Sequence, residues 1–456
     1  RADMTKTCMV DPRVEGSRYF SPAAERPGMT TFERRTRRAQ SRLDAVGADA
    51  LALTPGRDSY YLTGVDAEQS DRLLLLVVPV EGDPTFVVPT LEADSVRAAT
   101  WVDDVRTWDD ETGPDPALEP LLDALSPSRI LLADRMWAQF SLSLRDRLPD
   151  ASFGLASEVL SPLRRRKDAR ELDALRAAAD AADATMRDVR ALGADAVGTT
   201  EAELADFVEA RLEAHGGTGV AFETIVGAGP NGADPHHASG DRKIRSGDPV
   251  VLDFGTRVDA YPSDQTRTVV FDGEPSAEFQ RVHDVVREAQ SRAVAAVEPG
   301  ATAGAVDRAA REVIEEAGYG ERFVHRTGRG VGLDVHEAPD IVAGSETTLE
   351  PGMVFSVEPG VYLPERFGIR IEDLVVVSED GAERLNHTDR GWRVEASSPP
   401  SPFSFPPPSN ASTSACSVSN DSITSTVRSS RVRPLRITSS ARSSVESVSA
   451  EESRTG

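Results

Sequence analysis

Lysine is almost missing from this chain: Lys6, Lys167 and Lys243 are the full set, although arginine brings the basic total to 51. Against them stand 75 acids, for a formal net charge of −24. A surface that acidic repels phosphate backbones and excludes nucleic acid as a partner. It reads as the solvation layer of a halophilic protein, one that works in concentrated salt. Cysteine is scarce too. Cys8 and Cys416 stand near opposite ends, which excludes a disulfide framework and a thiolate zinc site. The longest apolar run, "LLLLVVPV" at 73–80, is too short to cross a bilayer. No charged-then-apolar leader opens the chain, so the expectation is a soluble, cytoplasmic protein without membrane association.

The 456 residues change style along their length. Residues 1–28 read as a doubtful extension, because the segment from Met29 makes a sensible beginning, with Thr30 or Thr31 to cap a helix whose Leu43 and Val46 face inward. Residues 396–456 form a Ser/Pro-rich tail with six arginines against four acids, so the excess acidity belongs to what precedes it. Such a tail has too little apolar surface to fold alone and is expected to be disordered, or to be an artefact of a frame or gene boundary. Between the ends, 29–160 alternates helices with the strands "ALALT", "LLLLVVPV", "TFVVPT" and "RILLAD", a small α/β domain. A helix over 163–189 then leads into a second domain, 161–395. There helices at 278–297 and 302–317 accompany the strands "DPVVLDFGTRV", "TRTVVFDG", "MVFSVEPGVYL" and "GIRIEDLVVVS".

Those strands carry acids where acids are costly. Asp253 ends an apolar run in "PVVLDFG", Asp264 follows on what reads as the return strand of a hairpin, and Glu358 and Glu372 sit in "VFSVEPG" and "GIRIEDLVVV". A carboxylate in a buried strand must be paired, hydrogen-bonded, protonated or metal-bound. Four in one domain repel one another unless cations lie among them. An oxygen-rich cluster suits two divalent ions; four unrelated salt-bridged acids are the alternative.

The segments "PHH", "VLDFG", "SDQTRT", "HRTGRGVGLDVHE", "SVEPG" and "GIRIED", in that order over roughly 29–395, resemble the pita-bread metallopeptidases. These include Xaa-Pro dipeptidases (prolidases) and aminopeptidase P. The N-terminal domain resembles that of the creatinase/prolidase side. The resemblance implies an α+β fold: a pita-bread catalytic domain with a curved, mostly antiparallel sheet, preceded by the smaller α/β domain. It implies hydrolysis of the bond before proline in proline-containing peptides, by hydroxide activated at two divalent ions (Mn, Co or Zn), in a homodimer. Proline has no backbone N–H, and attack assisted by a Lewis acid needs none.

Carried over by position, the resemblance makes Asp253, Asp264, Glu358 and Glu372 metal ligands, and lets Glu358 also shuttle protons. His236 and His336 become catalytic hydrogen-bond donors to the scissile carbonyl, while His325 and Arg370 line the substrate pocket. Arg370 has a plainer alternative, the neutralising of nearby acids. His237 has no role there and is expected to be a surface neighbour. The family's fifth ligand is a histidine where this chain has Arg329. A guanidinium stays protonated and ligates no metal, so it is expected to fork onto Glu358, to make the second metal site doubtful, and to impair the reaction. Two alternatives stand beside an impaired peptidase: a catalytically inactive peptide- or protein-binding relative, and a metal-free creatinase-like hydrolase acting through His236.

Overall fold

The computed structural model describes residues 29–394. The expectations for 1–28 and for the tail, and both cysteines, lie outside the described residues. The first helix is Thr31–Val46, capped by Thr30, whose Oγ1 accepts from the Glu33 N–H at 3.1 Å. Its Leu43 is fully buried.

A six-stranded sheet follows, in the spatial order Asp104–Trp108, Thr85–Pro89, Leu75–Pro79, Ala50–Leu53, Arg129–Leu132, Ser152–Leu155. Its three middle strands, Thr85–Pro89, Leu75–Pro79 and Ala50–Leu53, are buried along their whole length, as strands covered on both faces are. The sequence hid the two outermost strands, because Asp104–Trp108 and Ser152–Leu155 are largely exposed and lack an apolar run. The anticipated helix over 163–189 is two helices. Ser157–Arg164 ends, and Asp168 starts Ala169–Ala191 by accepting from the Glu171 N–H, while Glu171 reaches back to the Asp168 N–H. That reciprocal box is a strong start signal, and it outweighs the continuous apolar stripe.

The remaining strands pair antiparallel throughout. Gln265–Val269, Val250–Phe254 and Ile225–Ala228 form one sheet. Glu337–Ile341, Gly328–Gly330, Val354–Val357, Asp373–Ser378 and Gly381–Arg384 form another. Three long expected strands are interrupted: "DPVVLDFGTRV" breaks between Val250–Phe254 and Arg257–Val258, and in the two that carry glutamates Val354–Val357 and Gly360–Leu363 are separate, as are Phe367–Arg370 and Asp373–Ser378. Glu358 and Glu372 stand at these breaks. Pro359 cannot donate to a ladder, so the chain leaves the sheet where the carboxylate is needed.

Helices Ala277–Ala295 and Ala303–Glu316 pack on the five-stranded sheet through Phe279, Val286, Ile314 and Phe355. A second core joins Leu43, Leu51 and Phe86 to Val331, Val354 and Leu374, so both sheet systems share apolar packing. Buried Arg35 of the first helix reaches Asp168 at 2.9 Å and Glu171 at 3.3 Å, and the Tyr261 hydroxyl donates to Glu171 at 3.0 Å. Among the described residues no helix is long and apolar enough to cross a membrane.

His283, on Ala277–Ala295, is fully buried, and that burial pushes its pKa down to about 3. The fold therefore holds it neutral, whereas the unfolded chain protonates it below its ordinary value of 6.5. Stability from this group is complete above pH 6.5 and falls with pH until about 3, by about 1.4 kcal/mol per unit. His283→Leu should remove that part. In urea unfolding at pH 7 and pH 4.5, wild type is expected to lose about 2.5 kcal/mol more than the variant; equal losses would count against this account.

Candidate metal centre

Backbone register assembles the site. Asp253 lies opposite Thr266 in one ladder and Val357 opposite Asp373 in the other. The Glu372 N–H donates to the Thr266 carbonyl at 3.0 Å, and the Thr268 hydroxyl to the Arg370 carbonyl at 3.1 Å. The two sheets are thus stitched together behind the acids. Arg329 comes in on the short strand Gly328–Gly330, and its N–H donates to Ser356 Oγ at 3.2 Å. A Cβ on Gly328 would lie 1.8 Å from the Ser356 carbonyl, and one on Gly330 2.2 Å from that of Ala338. Only glycine permits that approach, which is why Arg329 is flanked as it is.

Asp253, Asp264 and Glu372 each present an oxygen within 4.8 Å of the others, all three residues buried. Asp253 Oδ2 accepts from Arg370 Nη2 at 2.6 Å, but Asp253 Oδ1 is buried without a hydrogen-bond partner. Glu372 Oε2 accepts from the Thr266 hydroxyl at 2.6 Å, and Glu358 Oε1 from that of Ser356 at 2.8 Å. Arg329 does not fork onto Glu358. Its Nη2 pairs with Asp264, and its Nη1 lies 3.4 Å from Glu372 and 3.6 Å from Glu358. The guanidinium therefore reaches three of the four acids.

An orphaned carboxylate oxygen facing two further carboxylates fits one hard divalent cation. Asp264, Glu358 and Glu372 already share a permanent positive charge that has no lone pair to offer.

The electrostatics reflect crowding. Burial pushes Asp264 up to about 7 although Arg329 opposes it. Burial, with Asp264, Glu358 and Asp253 nearby, holds Glu372 well above the usual carboxylate range. Burial also works against Glu358, but Arg329, helped by His325 and Arg370, prevails and keeps it below its ordinary value. Four acids against two guanidiniums leave an excess of negative charge for a proton or a cation to balance.

His236 and His336 are exposed on loops, and both His236 and Glu358 are near enough to act on His336 electrostatically. Partial desolvation of its ring, then Arg329 and Arg326, lowers the His336 pKa. His325 belongs to a chain: Nδ1 donates to the Arg326 carbonyl at 2.8 Å, Nε2 accepts from the Tyr362 hydroxyl at 2.9 Å, and Arg370 donates to that hydroxyl at 2.9 Å. Burial lowers the His325 pKa, which suits this neutral tautomer. Arg370 thus does neutralise an acid, Asp253. His237 is no idle neighbour; its Nε2 lies 2.8 Å from the fully buried Glu201, which also accepts from the Ala228 N–H.

Sequence reasoning passed over Thr266, Ser356, Tyr362 and Glu201. Thr266 and Ser356 had a signal, since each stands two residues from an acid and strand residues two apart share a face. Glu201 and Tyr362 had none.

The profile of metallopeptidase family M24 matches residues 173–379, and that of the creatinase/prolidase N-terminal domain matches 35–166. The chain is 43% identical over 359 residues to the probable dipeptidase PepE of Mycobacterium tuberculosis, covering 78% of this chain and 94% of that one. Among solved structures it is similar to dipeptidase PepE from Mycobacterium ulcerans, with a TM-score of 0.75 and 42% identity over 80% of this chain and 98% of the other. A prolidase from Thermococcus sibiricus gives a TM-score of 0.75 at 37% identity, with 80% and 100% covered.

Thr266→Val removes the hydroxyl that orients Glu372 while preserving shape. Loss of such a supporting contact lowers metal affinity by about 10–100-fold. Manganese titration of wild type and variant should show that drop with the circular dichroism unchanged; equal affinities would remove Thr266 from the centre.

Proposed function

The chain belongs to metallopeptidase family M24, with a creatinase/prolidase N-terminal domain ahead of its catalytic region, and from that premise we propose a metal-dependent Xaa-Pro dipeptidase impaired at its second metal position. The family is one of metallopeptidases, and the similar solved structures include a prolidase and an Xaa-Pro dipeptidase. The observation that carries the proposal is the arrangement of Asp253, Asp264 and Glu372 within 4.8 Å, with Arg329 touching three of the site's four acids.

Asp253, Asp264 and Glu372 would hold one divalent ion, with Arg329 in the second ion's place. Manganese or cobalt suits an all-oxygen donor set better than zinc does. When bound, the ion supplies Lewis acidity toward the scissile carbonyl. The chain's own groups do the remainder. Glu358, kept ionised by Arg329 and held through Oε1 by Ser356, accepts a proton from the attacking water and passes it to the proline nitrogen as that nitrogen leaves. His236 and His336 donate to the carbonyl oxygen as charge builds on it. His336, with its lowered pKa, serves as a neutral donor. The His325–Tyr362–Arg370 chain forms one wall of the substrate pocket, with Arg370 tied to Asp253.

Residues 29–160 form the capping domain and 161–395 the catalytic one, in a homodimer of the cytoplasm suited to high salt. Retention of all four acids, one with an unpartnered oxygen, speaks against a metal-free hydrolase, which such charges would only burden.

Arg329→His tests the proposal. With manganese supplied, kcat/KM toward an Xaa-Pro dipeptide should rise by more than about 100-fold, since a direct ligand is worth more than the 10–100-fold of a supporting contact. No gain would leave the inactive peptide-binding relative as the better reading.

A further inference from the structure

The loop that presents His336 joins strands Gly328–Gly330 and Glu337–Ile341, whose register shifts between Arg329 and Gly330. A shifted register disrupts the ladder that would otherwise define the loop. Side chains take over that task. Asp334 and Glu337, two residues before His336 and one after, turn to a single partner, Arg164, the last residue of helix Ser157–Arg164. Arg164 Nη2 lies 2.6 Å from Asp334 Oδ2 and 2.7 Å from Glu337 Oε2, and Nη1 lies 2.7 Å from Asp58 Oδ1. The Arg164 side chain is 12% exposed and Glu337 11%. These are enclosed, charge-assisted bonds, about twice as strong as neutral ones.

Lys167, its side chain fully enclosed, holds the other oxygen of Glu337. That carboxylate lies over Gly332, where a Cβ would stand 2.2 Å from Glu337 Oε1. Arg257 secures the loop from the far side by donating to the Leu333 carbonyl at 3.2 Å. Asp58 opens helix Arg57–Thr63, beside the six-stranded sheet. His336, Asp58 and Arg164 all line one cleft of about 860 Å³.

We propose that Arg164 is the positioning residue for His336, fixing the catalytic loop by holding Asp334 and Glu337 and anchoring both to Asp58. Arg164 touches no reacting atom. It makes the six-stranded part of the chain a component of the catalytic apparatus, since the loop that carries a catalytic donor is braced against it. Arg135 also reaches Asp334, at 3.3 Å, but it is 80% exposed and screened by solvent. The role of His336 rests on the function proposed above; the bracing of its loop does not.

Hydrogen exchange on the full-length protein tests the bracing without activity. Arg164→Gln should raise exchange across residues 331–338 by at least about tenfold, with helix Ala277–Ala295 unchanged. Arg164→Lys should fall between, and Arg135→Ala should match wild type. Should Arg164→Gln fail to fold, Glu337→Gln removes the same contact from the other side and carries the same expectation. Unchanged exchange at 331–338, or a rise spread equally over 31–46 and 277–295, overturns the proposal. In an Arg329→His background, Arg164→Gln should lower kcat at least about tenfold and leave KM within about twofold, as loss of a group acting only in the transition state does. If Arg329→His itself is inactive, the functional reading fails while the exchange result still decides the bracing.

Discussion

Four carboxylates buried within reach of one another are the constraint on which this structure turns. Two unit charges 4 Å apart repel by about 4 kcal/mol at an effective dielectric of about 20, and a whole domain is stable by only about 5–15 kcal/mol. Asp253, Asp264, Glu358 and Glu372 therefore cannot all stand ionised without cations. The chain supplies two. Arg370 holds Asp253, and Arg329 spreads over Asp264, Glu372 and Glu358. Both guanidiniums stay charged despite full enclosure, because the acids around them outweigh the cost of burial. One oxygen, Asp253 Oδ1, remains unpartnered.

The surroundings serve this arrangement. Glycines on both sides of Arg329 let its strand press against Ser356 and Ala338, and the breaks before Pro359 and at Glu372 release those glutamates from the ladders. Thr266 and Ser356 fill carboxylate lone pairs that a neighbouring charge leaves free. Behind Glu372, buried Arg267 pairs with Asp373 at 2.7 Å and donates to the Glu372 carbonyl at 2.6 Å. Hydrogen bonds and ion pairs surround the acids, although Arg329 Nε, like Asp253 Oδ1, is buried without a partner. Such networks hold a geometry well when complete.

Much of this was legible in the sequence, and the reasons for the rest are physical. Asp253 declared itself because an acid in an apolar run needs an explanation, Asp264 through its place on the expected return strand, and Arg329 because an arginine between glycines is out of place. The Thr30 cap and the helices near 278 and 302 followed from local signals. What local signals do not contain is the choice of partner. Arg329 was expected to fork onto Glu358, but it pairs with Asp264 and reaches Glu372 as well as Glu358. His237 was expected to be idle, yet it meets Glu201, brought to it by the start of a helix 36 residues away. The strands Asp104–Trp108 and Ser152–Leu155 escaped notice because edge position, not hydrophobicity, makes them strands. Arg164 lay in a run of three arginines, "LRRRK", where nothing distinguished it from its solvated neighbours.

The central claim is that a guanidinium stands where the family places a second metal ion. Metal content per chain tests it most directly, by elemental analysis of wild type and Arg329→His, each equilibrated with manganese and gel-filtered in high salt. The account predicts one ion per chain in wild type and two in the variant. Two ions per chain in wild type would mean that Arg329 swings aside, and would contradict it.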